Sequence, residues 1–479
     1  MTTSAVMTRH TTFRYCLDPT VEQRLTLARH AGASRFAYNQ CLNLHLQARA
    51  DKQRDTSTVV PWARFELINR FNAWKKSEDA GRVIAVDGGG SAEVVVTGLS
   101  WRSDVRQQVF EEAGADLATA LKAWTDSRKH KRAGVSVGYP RFKKKNRSTP
   151  SFRLRNNCSK GARPPIRVGD DSARTVTLPG IGTVRVHDDT RRLRRLLGGG
   201  RAKILFATVS RRAGRWWVAL NIEAADLHPD RCHSARATAD HSGWVGIDRG
   251  LTVFIVAADS RGREINREGD PPRAFMRGLR RTRRLAESVM RKQQGSRNRQ
   301  AAAARLARHH RHMANIRGHF LHQVSNRLVN THDRLVVENL NVAGMLRNRR
   351  LSRAISDAGW ARFVRLLEYK QRWRRGTVLA ADRWFPSSKT CSACGAVRAG
   401  LDLAERIYHC PACGVRLDRD LNAAVNLAAW AETGCAQARD LQAWGPVINA
   451  HRQERSGRHH DGETDLDDVG TDVHRVPAQ

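Results

Sequence analysis

Apolar and polar positions alternate from Thr11 to Leu17, which predicts a strand, and Pro19 ends it. Thr20 with Gln23 then forms a capping box that opens a helix. Further along, Phe110, Leu117, Leu121 and Trp124 fall on one face of a 3.6-residue period and predict a second helix. The intervening GRVIAVDGGGSAEVVV reads as an inserted loop or hairpin. Its Gly88, Gly89 and Gly90 read as a linker, because no Lys-Ser/Thr pair follows to complete a phosphate cradle. Residues 131–223 change character. YPRFKKKNRSTPSFRLR, TVTLPGIGTVRV and KILFATVSRRAGRWWVALNIE are short alternating segments divided by Pro and Gly, as in a small barrel or sandwich with basic loops.

After a linker around Thr238 to Ser242, WVGIDRGLTVFIVAADS predicts two strands joined by a tight turn. Residues 273–330 form a basic helical stretch with a break at Gly295-Ser296 that would let two helices fold back on each other. LVVENL at 335–340 is a strand with an acid near its end. Trp360, Phe363, Val364 and Leu367 mark an amphipathic helix ending near Gly376, and TVLAADRWF reads as the next strand. From Gly434 onward the chain is polar and then acidic, so disorder is expected there. No internal repeat is visible. The fold class is α/β, and a chain of 479 residues is too long for one core, so at least three domains are expected.

Composition adds the partner class. Lys plus Arg outnumber Asp plus Glu by 84 to 46, and the surplus of +38 is spread along most of the chain, far more than solubility requires. Nucleic-acid binding follows. The contacts expected are Arg141, Lys143, Lys144 and Lys145, with Phe142 and Phe152 beside them to stack a base, and Arg280, Arg281, Arg284, Arg291, Lys292, Arg297 and Arg317 on the helical hairpin. His309, His310 and His312 on that hairpin read as added polarity, not as a metal site. No apolar run approaches the ~20 residues of a bilayer span, and the start lacks the apolar core of a signal peptide. A soluble, cytoplasmic protein is expected, nucleoid-associated when bound, with no membrane partner. Nine cysteines, four of them clustered, argue for metal ligation in a reducing compartment over disulfides.

Two constellations carry chemistry. CSAC, fifteen residues, then CPAC, each pair followed by Gly395 or Gly414, places Cys391, Cys394, Cys410 and Cys413 around one tetrahedral Zn2+. Four thiolates leave no open position, so this zinc is expected to be structural. Catalysis would fall to carboxylates. Asp248 ends the strand WVGID between Gly246 and Gly250, Glu338 ends LVVE, and Asp420 opens the helix DLNAAVNLAAW. Drawn to one point, they would hold two Mg2+ ions roughly 4 Å apart, with Mn2+ able to substitute, for phosphodiester hydrolysis. Asp418 competes with Asp420 for the third position. At a helix start one of the two binds metal and the other caps or orients, and Asp420 is preferred for the metal. There is no nucleophile-elbow serine and no cysteine placed by a histidine.

These residues resemble the TnpB family, the transposon-encoded RNA-guided nucleases, and their relatives the miniature type V CRISPR effectors. The matching segments are DPTVEQRLTLARHAGASRFAYN, GYPRFKKKN, LPGIGTVRV, GIDRG, VVENLNVAGM, RWFPSSKTCSACG and DRDLNAAVNL, densest from about residue 240 to 430. The resemblance implies a β-barrel wedge domain in two parts, 1–19 and 131–240, around a helical recognition domain at 20–130. It also implies an RNase H-like (RuvC) nuclease domain at 241–384 and 416–432, interrupted by a zinc-ribbon target-nucleic-acid-binding insert at 385–415, and a tail at 433–479. A guide RNA, a DNA target with a short recognised motif beside it, and DNA cutting by Asp248, Glu338 and Asp420 come with it. Leu417 departs from the family, where His often precedes the Asp-Arg-Asp run. Two other readings stay open. A transposase could use the same triad for strand transfer, although the knuckle lies between the second and third acids and His310-Arg311-His312 is no tyrosine-transposase metal pair. An RNA-guided binder that does not cut would be favoured by a missing acid, and none is missing. Transposon or CRISPR origin of the guide, and monomer or dimer, are also open.

Overall fold

The computed structural model describes residues 9–86, 92–132, 135–145, 147–159, 161–224, 232–237, 240, 242–402, 405–433 and 439–440. Gly88, Gly89 and Gly90 lie outside these residues, as does nearly all of the tail. The chain packs as two units, one up to Leu227 and one from His228.

The first unit runs β1 (Arg9–Asp18), α1 (Val21–Arg54), α2 (Arg64–Trp74), β2 (Arg82–Val86), β3 (Ala92–Thr97) and α3 (Gln107–Arg128). It continues β4 (Ser151–Arg155), β5 (Arg167–Val168), β6 (Thr175–Leu178), β7 (Gly182–Val186), α4 (Arg191–Gly198), β8 (Ala202–Arg212) and β9 (Arg215–Ala224). Seven strands form one sheet in the order β4-β8-β9-β1-β7-β6-β5. The N-terminal strand is central: Arg9 to Cys16 pair with β9, and Leu17 and Asp18 with β7. The Thr20–Gln23 capping box is present, with Gln23 N donating to Thr20 Oγ1 at 3.2 Å and Thr20 N to Gln23 Oε1 at 3.1 Å. The GRVIAV and AEVVVT segments pair as the hairpin β2–β3.

A buried acid links helices and sheet in this unit. Glu112 on α3, 3% exposed, accepts from Arg64 of α2 at 3.2 Å and from Arg153 and Arg155 of β4 at 3.0 and 2.5 Å. Burial raises its carboxyl and the arginines pull it down. Phe152 was expected to stack a base, but it alternates inward on β4 and is fully buried, so it is core.

The second unit runs β10 (Val245–Arg249), β11 (Ile255–Asp259), β12 (Glu264–Glu268), α5 (Ala274–Met290), α6 (Arg297–Thr331), β13 (Arg334–Val337), α7 (Val342–Met345) and α8 (Ser352–Ala358). It continues α9 (Trp360–Trp373), β14 (Thr377–Ala380), β15 (Ile407–His409), β16 (Arg416–Asp418), α10 (Arg419–Glu432) and β17 (Arg439–Asp440). The sheet order is β12-β11-β10-β13-β14-β17, with β10, β13 and β14 parallel. TVLAADRWF is strand only through Ala380. Asp382 then turns the chain by accepting from Trp384 N at 2.8 Å. β17 adds a two-residue edge to β14 within the stretch expected to be disordered.

Strand alternation sorts this sheet's faces. Val245, Ile247, Leu335 and Val337 face Leu321, Val324 and Leu328 of α6 and Phe363 and Leu367 of α9. Val336, on the opposite face, packs with Leu427 and Trp430 of α10. Gly246 shares that face, and α10 lies so close that a Cβ there would sit 1.9 Å from the Ala424 carbonyl oxygen. The predicted hairpin forms as α5 and α6. Asp357 of α8 caps α5 by accepting from Phe275 N at 3.0 Å, and Arg299 of α6 donates to the Val289 and Lys292 carbonyls at the turn between the helices, at 3.2 and 3.0 Å. No helix among the described residues is long and apolar enough to cross a membrane.

Gly246→Ala should therefore lower stability by about 3 kcal/mol, because helix backbone cannot yield as a side chain can. Gly138→Ala, with nothing within 4 Å of the new methyl, is the control. Thermal unfolding of the two variants beside wild type checks this, and equal melting temperatures would contradict the close contact.

Candidate active site and metal centre

Parallel pairing of β10 with β13 sets Ile247 opposite Val337, so Asp248 and Glu338 stand on the next rung of neighbouring strands. Both continue the alternation onto the face covered by α10. Asp248 also pairs across from Val256, which packs against Ala424 and Val425. The helix begins over this end of the sheet. Asp418 is its N-cap, with Leu421 N donating to Oδ1 at 2.9 Å, and it also meets Arg267 at 3.4 Å. Asp420 lies in the first turn, 3.6 Å from the Arg419 guanidinium.

The three acids feel one another. Burial, and then the negative charges of Glu338 and Asp420, push the Asp248 carboxyl well above the usual carboxylate range, against the pull of Arg249 and Arg419. Among the described residues, the one group of three or more His, Cys, Asp or Glu whose ligand atoms all lie within 4.8 Å of one another is the four-cysteine set, so the three acids are electrostatic neighbours and not a closed ligand set. Sequence reasoning missed two neighbours of this cluster. Ser387 is buried and donates from Oγ to Glu338 Oε1 at 2.9 Å. Arg249, also buried, donates to the Glu338 carbonyl, and its Nε has no hydrogen-bond partner among the described residues. A serine four residues before a cysteine pair carries no periodic signal, and an arginine after a strand acid reads as surface.

Cys391, Cys394, Cys410 and Cys413 form a donor set whose sulfurs all lie within 4.8 Å of one another. Cys391 and Cys413 sulfurs are 3.6 Å apart, as are those of Cys394 and Cys410. A tetrahedron of Zn–S bonds near 2.3 Å has edges of about 3.8 Å, whereas a disulfide would need about 2.05 Å, so the set fits an ion. Two matching turns build it. Gly395 N donates to the Cys391 carbonyl and Gly414 N to the Cys410 carbonyl, with φ of +75° and +73° at the two glycines. N–H groups of Cys413 and Ala412 hold the Cys410 thiol down to about 6. Tyr408 fills the centre of the knuckle beside Cys391 and Cys410, and Leu417, the family departure, packs on this apolar cluster.

The knuckle is bolted to α10. Asn422 accepts from Ser392 N at 2.9 Å and donates to the Thr390 carbonyl at 2.7 Å, while Asn426 donates to the Ser387 and Thr390 carbonyls at 2.7 and 2.6 Å. Both asparagines are buried. An i, i+4 amide pair inside the apolar run NAAVNLAAW is the signal that could have found them.

The expected nucleic-acid contacts divide. Arg141, Lys144 and Lys145 are exposed, whereas Lys143 rests its ammonium 3.6 Å from the Tyr38 ring centroid and has its backbone clamped by Asn39. Arg280, Arg281, Arg284, Arg291 and Arg297 are exposed on the hairpin, and Lys292 is half-buried. Arg317 is a correction. Its position turns toward α8, where it is 8% exposed and donates to the Ser356 carbonyl at 2.9 Å, so it is interior and not a contact. His309 meets the Gly278 carbonyl at 3.2 Å and His310 is buried.

Three family models match the chain: the "Helix-turn-helix domain" of OrfB_IS605 over residues 7–54, the OrfB_IS605 "Probable transposase" over 228–349, and the "Cas12f1-like, TNB domain" over 360–427. A Mycobacterium tuberculosis protein named "Putative RNA-guided DNA endonuclease" is 36% identical over 428 residues, covering 88% of this chain and 86% of that one. A Streptomyces pristinaespiralis protein of the same name is 32% identical over 448 residues, covering 93% and 94%. A solved Cas12f1-sgRNA-target DNA complex aligns with a TM-score of 0.46 at 12% identity over 88% of this chain and 99% of that one. With relatives this similar over nearly their whole length and OrfB_IS605 models on both halves, the chain belongs to the TnpB family.

Proposed function

We propose that this protein is an RNA-guided DNA endonuclease that hydrolyses phosphodiester bonds at a RuvC-type site made of Asp248, Glu338 and Asp420. The observation that carries the reading is geometric: Asp248 and Glu338 follow paired positions on two parallel strands, and Asp420 lies in the first turn of the helix over them, where burial first and then the charges of Glu338 and Asp420 raise the Asp248 carboxyl. Hard carboxylate oxygens suit Mg2+, or Mn2+ in its place, and the ions supply an activated water and stabilise the leaving 3′ oxygen. Asp248 and Glu338 present their oxygens from neighbouring strands, Asp420 closes the set from the helix, and Ser387 holds one Glu338 oxygen at a fixed angle. Asp418, committed to capping α10, orients the helix and does not bind metal.

Zn2+ on the four cysteines is structural in this reading and holds the loop that carries Ser387. The first unit would supply the wedge sheet and recognition helices, with Arg141, Lys144 and Lys145 against a guide-RNA backbone. The exposed arginines of α5 and α6 would line the nucleic-acid path in the second unit. Pairing with the guide would read the target, and one active site would take the strands in turn. The OrfB_IS605 description as a transposase keeps strand transfer as the second reading, and the reaction product separates them, since transfer joins strands and hydrolysis leaves free ends.

Asp248→Ala and Asp420→Asn should each lower the rate of guided plasmid cutting by at least about a thousandfold with guided DNA binding near wild type, while Asp418→Asn keeps cutting within about tenfold and costs about 1 kcal/mol as a weakened cap. Gel assays of cutting and binding check the set, and parallel loss of binding would sink it.

The same acid predicts a pH effect. A folded-state pKa raised above the unfolded value means stability present below the unfolded pKa and lost as pH rises through the raised one. In metal-free protein the contribution of Asp248 to stability should therefore fall as pH rises through its raised pKa, and Asp248→Asn should remove that component of the pH dependence. Denaturant unfolding across pH in a chelator measures it.

Cys391→Ser should release the zinc found by elemental analysis, one ion per chain in wild type, and lower the melting temperature. A zinc-free variant with wild-type stability and cutting would contradict the structural role.

A further inference from the structure

Trp384 is the most exposed large apolar side chain among the described residues, at 84%. An indole in water contributes nothing to the fold, and a single one held at a fixed place invites a partner. Its loop leaves the carboxyl end of β14, beside the end of β13 that carries Glu338. Both flanks are pinned. Ala381 N donates to the Val337 carbonyl at 2.9 Å, Phe385 packs its ring 6.1 Å from that of Trp430, and Ser387 reaches both Glu338 and Asn426. Between these anchors Asp382 makes the turn, accepting from Trp384 N and, through its carbonyl, from Phe385 N at 3.2 Å. The tip is therefore rigid and wet at once. Two residues, Phe385 and Pro386, separate Trp384 from Ser387, so the two backbones lie at most about 10 Å apart, and Ser387 itself touches Glu338. Arg383 beside it is exposed and supplies positive charge.

From this placement we infer that Trp384 is a substrate-positioning residue: its indole stacks on an unpaired nucleobase of the DNA strand next to the scissile phosphate. The inference rests on the endonuclease reading and adds how the strand is held. Every base has a π-face, so such a platform holds a strand without reading its sequence. Stacking fixes the sugar-phosphate beside the base, and the acids then meet a phosphate already in register.

The test uses the full chain purified with the RNA it carries and a single-stranded DNA complementary to that guide, in Mg2+, with an abasic nucleotide moved one position at a time across the cut. One abasic position should raise KM for wild type about tenfold with a smaller change in kcat. Trp384→Ala should show that same rise on intact DNA and lose nothing more at that abasic position. Trp384→Phe, which keeps an aromatic face, should stay within about threefold of wild type. Trp384→Ala kinetics equal to wild type, or penalties that multiply, overturn the stacking. If Trp384→Ala fails to fold, an abasic scan of wild type with no sensitive position overturns it. Intact DNA left uncut by wild type overturns the endonuclease reading and this inference with it, whereas cutting that ignores Trp384 and every abasic position overturns the stacking alone.

Discussion

The second unit depends on the contact of α10 with β10 at Gly246. A helix ordinarily rides on side chains, 8–10 Å from its neighbour. Here the Ala424 carbonyl occupies the space a Cβ would take, so helix backbone lies on strand backbone. That approach brings the first turn of α10 down to the sheet, within the electrostatic field of Asp248. Ala423, Ala424 and Ala428, all buried, keep the helix surface thin enough to permit it. A larger residue at any of these places would lift Asp420 away from the other two acids.

The same helix fixes the metal knuckle. Asn422 and Asn426 commit their amides to the chain between Ser387 and Ser392, so the four-cysteine centre and the loop before it share one reference with the helix that carries Asp420. The core of the knuckle itself is small, three buried residues with four partly buried neighbours. So little apolar area cannot hold a fold alone, and ion binding would supply what packing does not. Loss of the ion would be felt at Glu338, because Ser387 stands at the junction.

Charge is arranged on two scales. Over the whole chain, +38 attracts polyanions without choosing a place. Locally, burial and then the charges of Glu338 and Asp420 raise the Asp248 carboxyl inside that positive field. A basic surface attracts a phosphate backbone, and in the proposed function the acids are assigned the cutting of it. The buried Glu112 shows the opposite use of the same chemistry, since three arginines surround that one carboxylate and the result is a joint between helix and sheet.

Much of this was legible in the sequence because it is short-range. The Thr20–Gln23 cap, the Gly295-Ser296 break, the two Cys-x-x-Cys turns and the acids at strand and helix ends each depend on a few neighbouring residues. Local sterics and hydrogen bonds decide them before any tertiary contact forms. What faces what was decided only in three dimensions. Phe152 and Arg317 looked like exposed contacts and are interior, because the strand or helix face that bears them turned inward. Asp418 and Asp420 differ by two residues, and the turn of α10 alone assigns one to the helix cap and one to the acid cluster. Asp248 and Glu338, ninety residues apart, become neighbours through parallel pairing of β10 with β13. That register follows from burying Val245, Ile247, Leu335 and Val337 on one side and seating α10 on Gly246 on the other. No window of sequence contains both halves of that constraint.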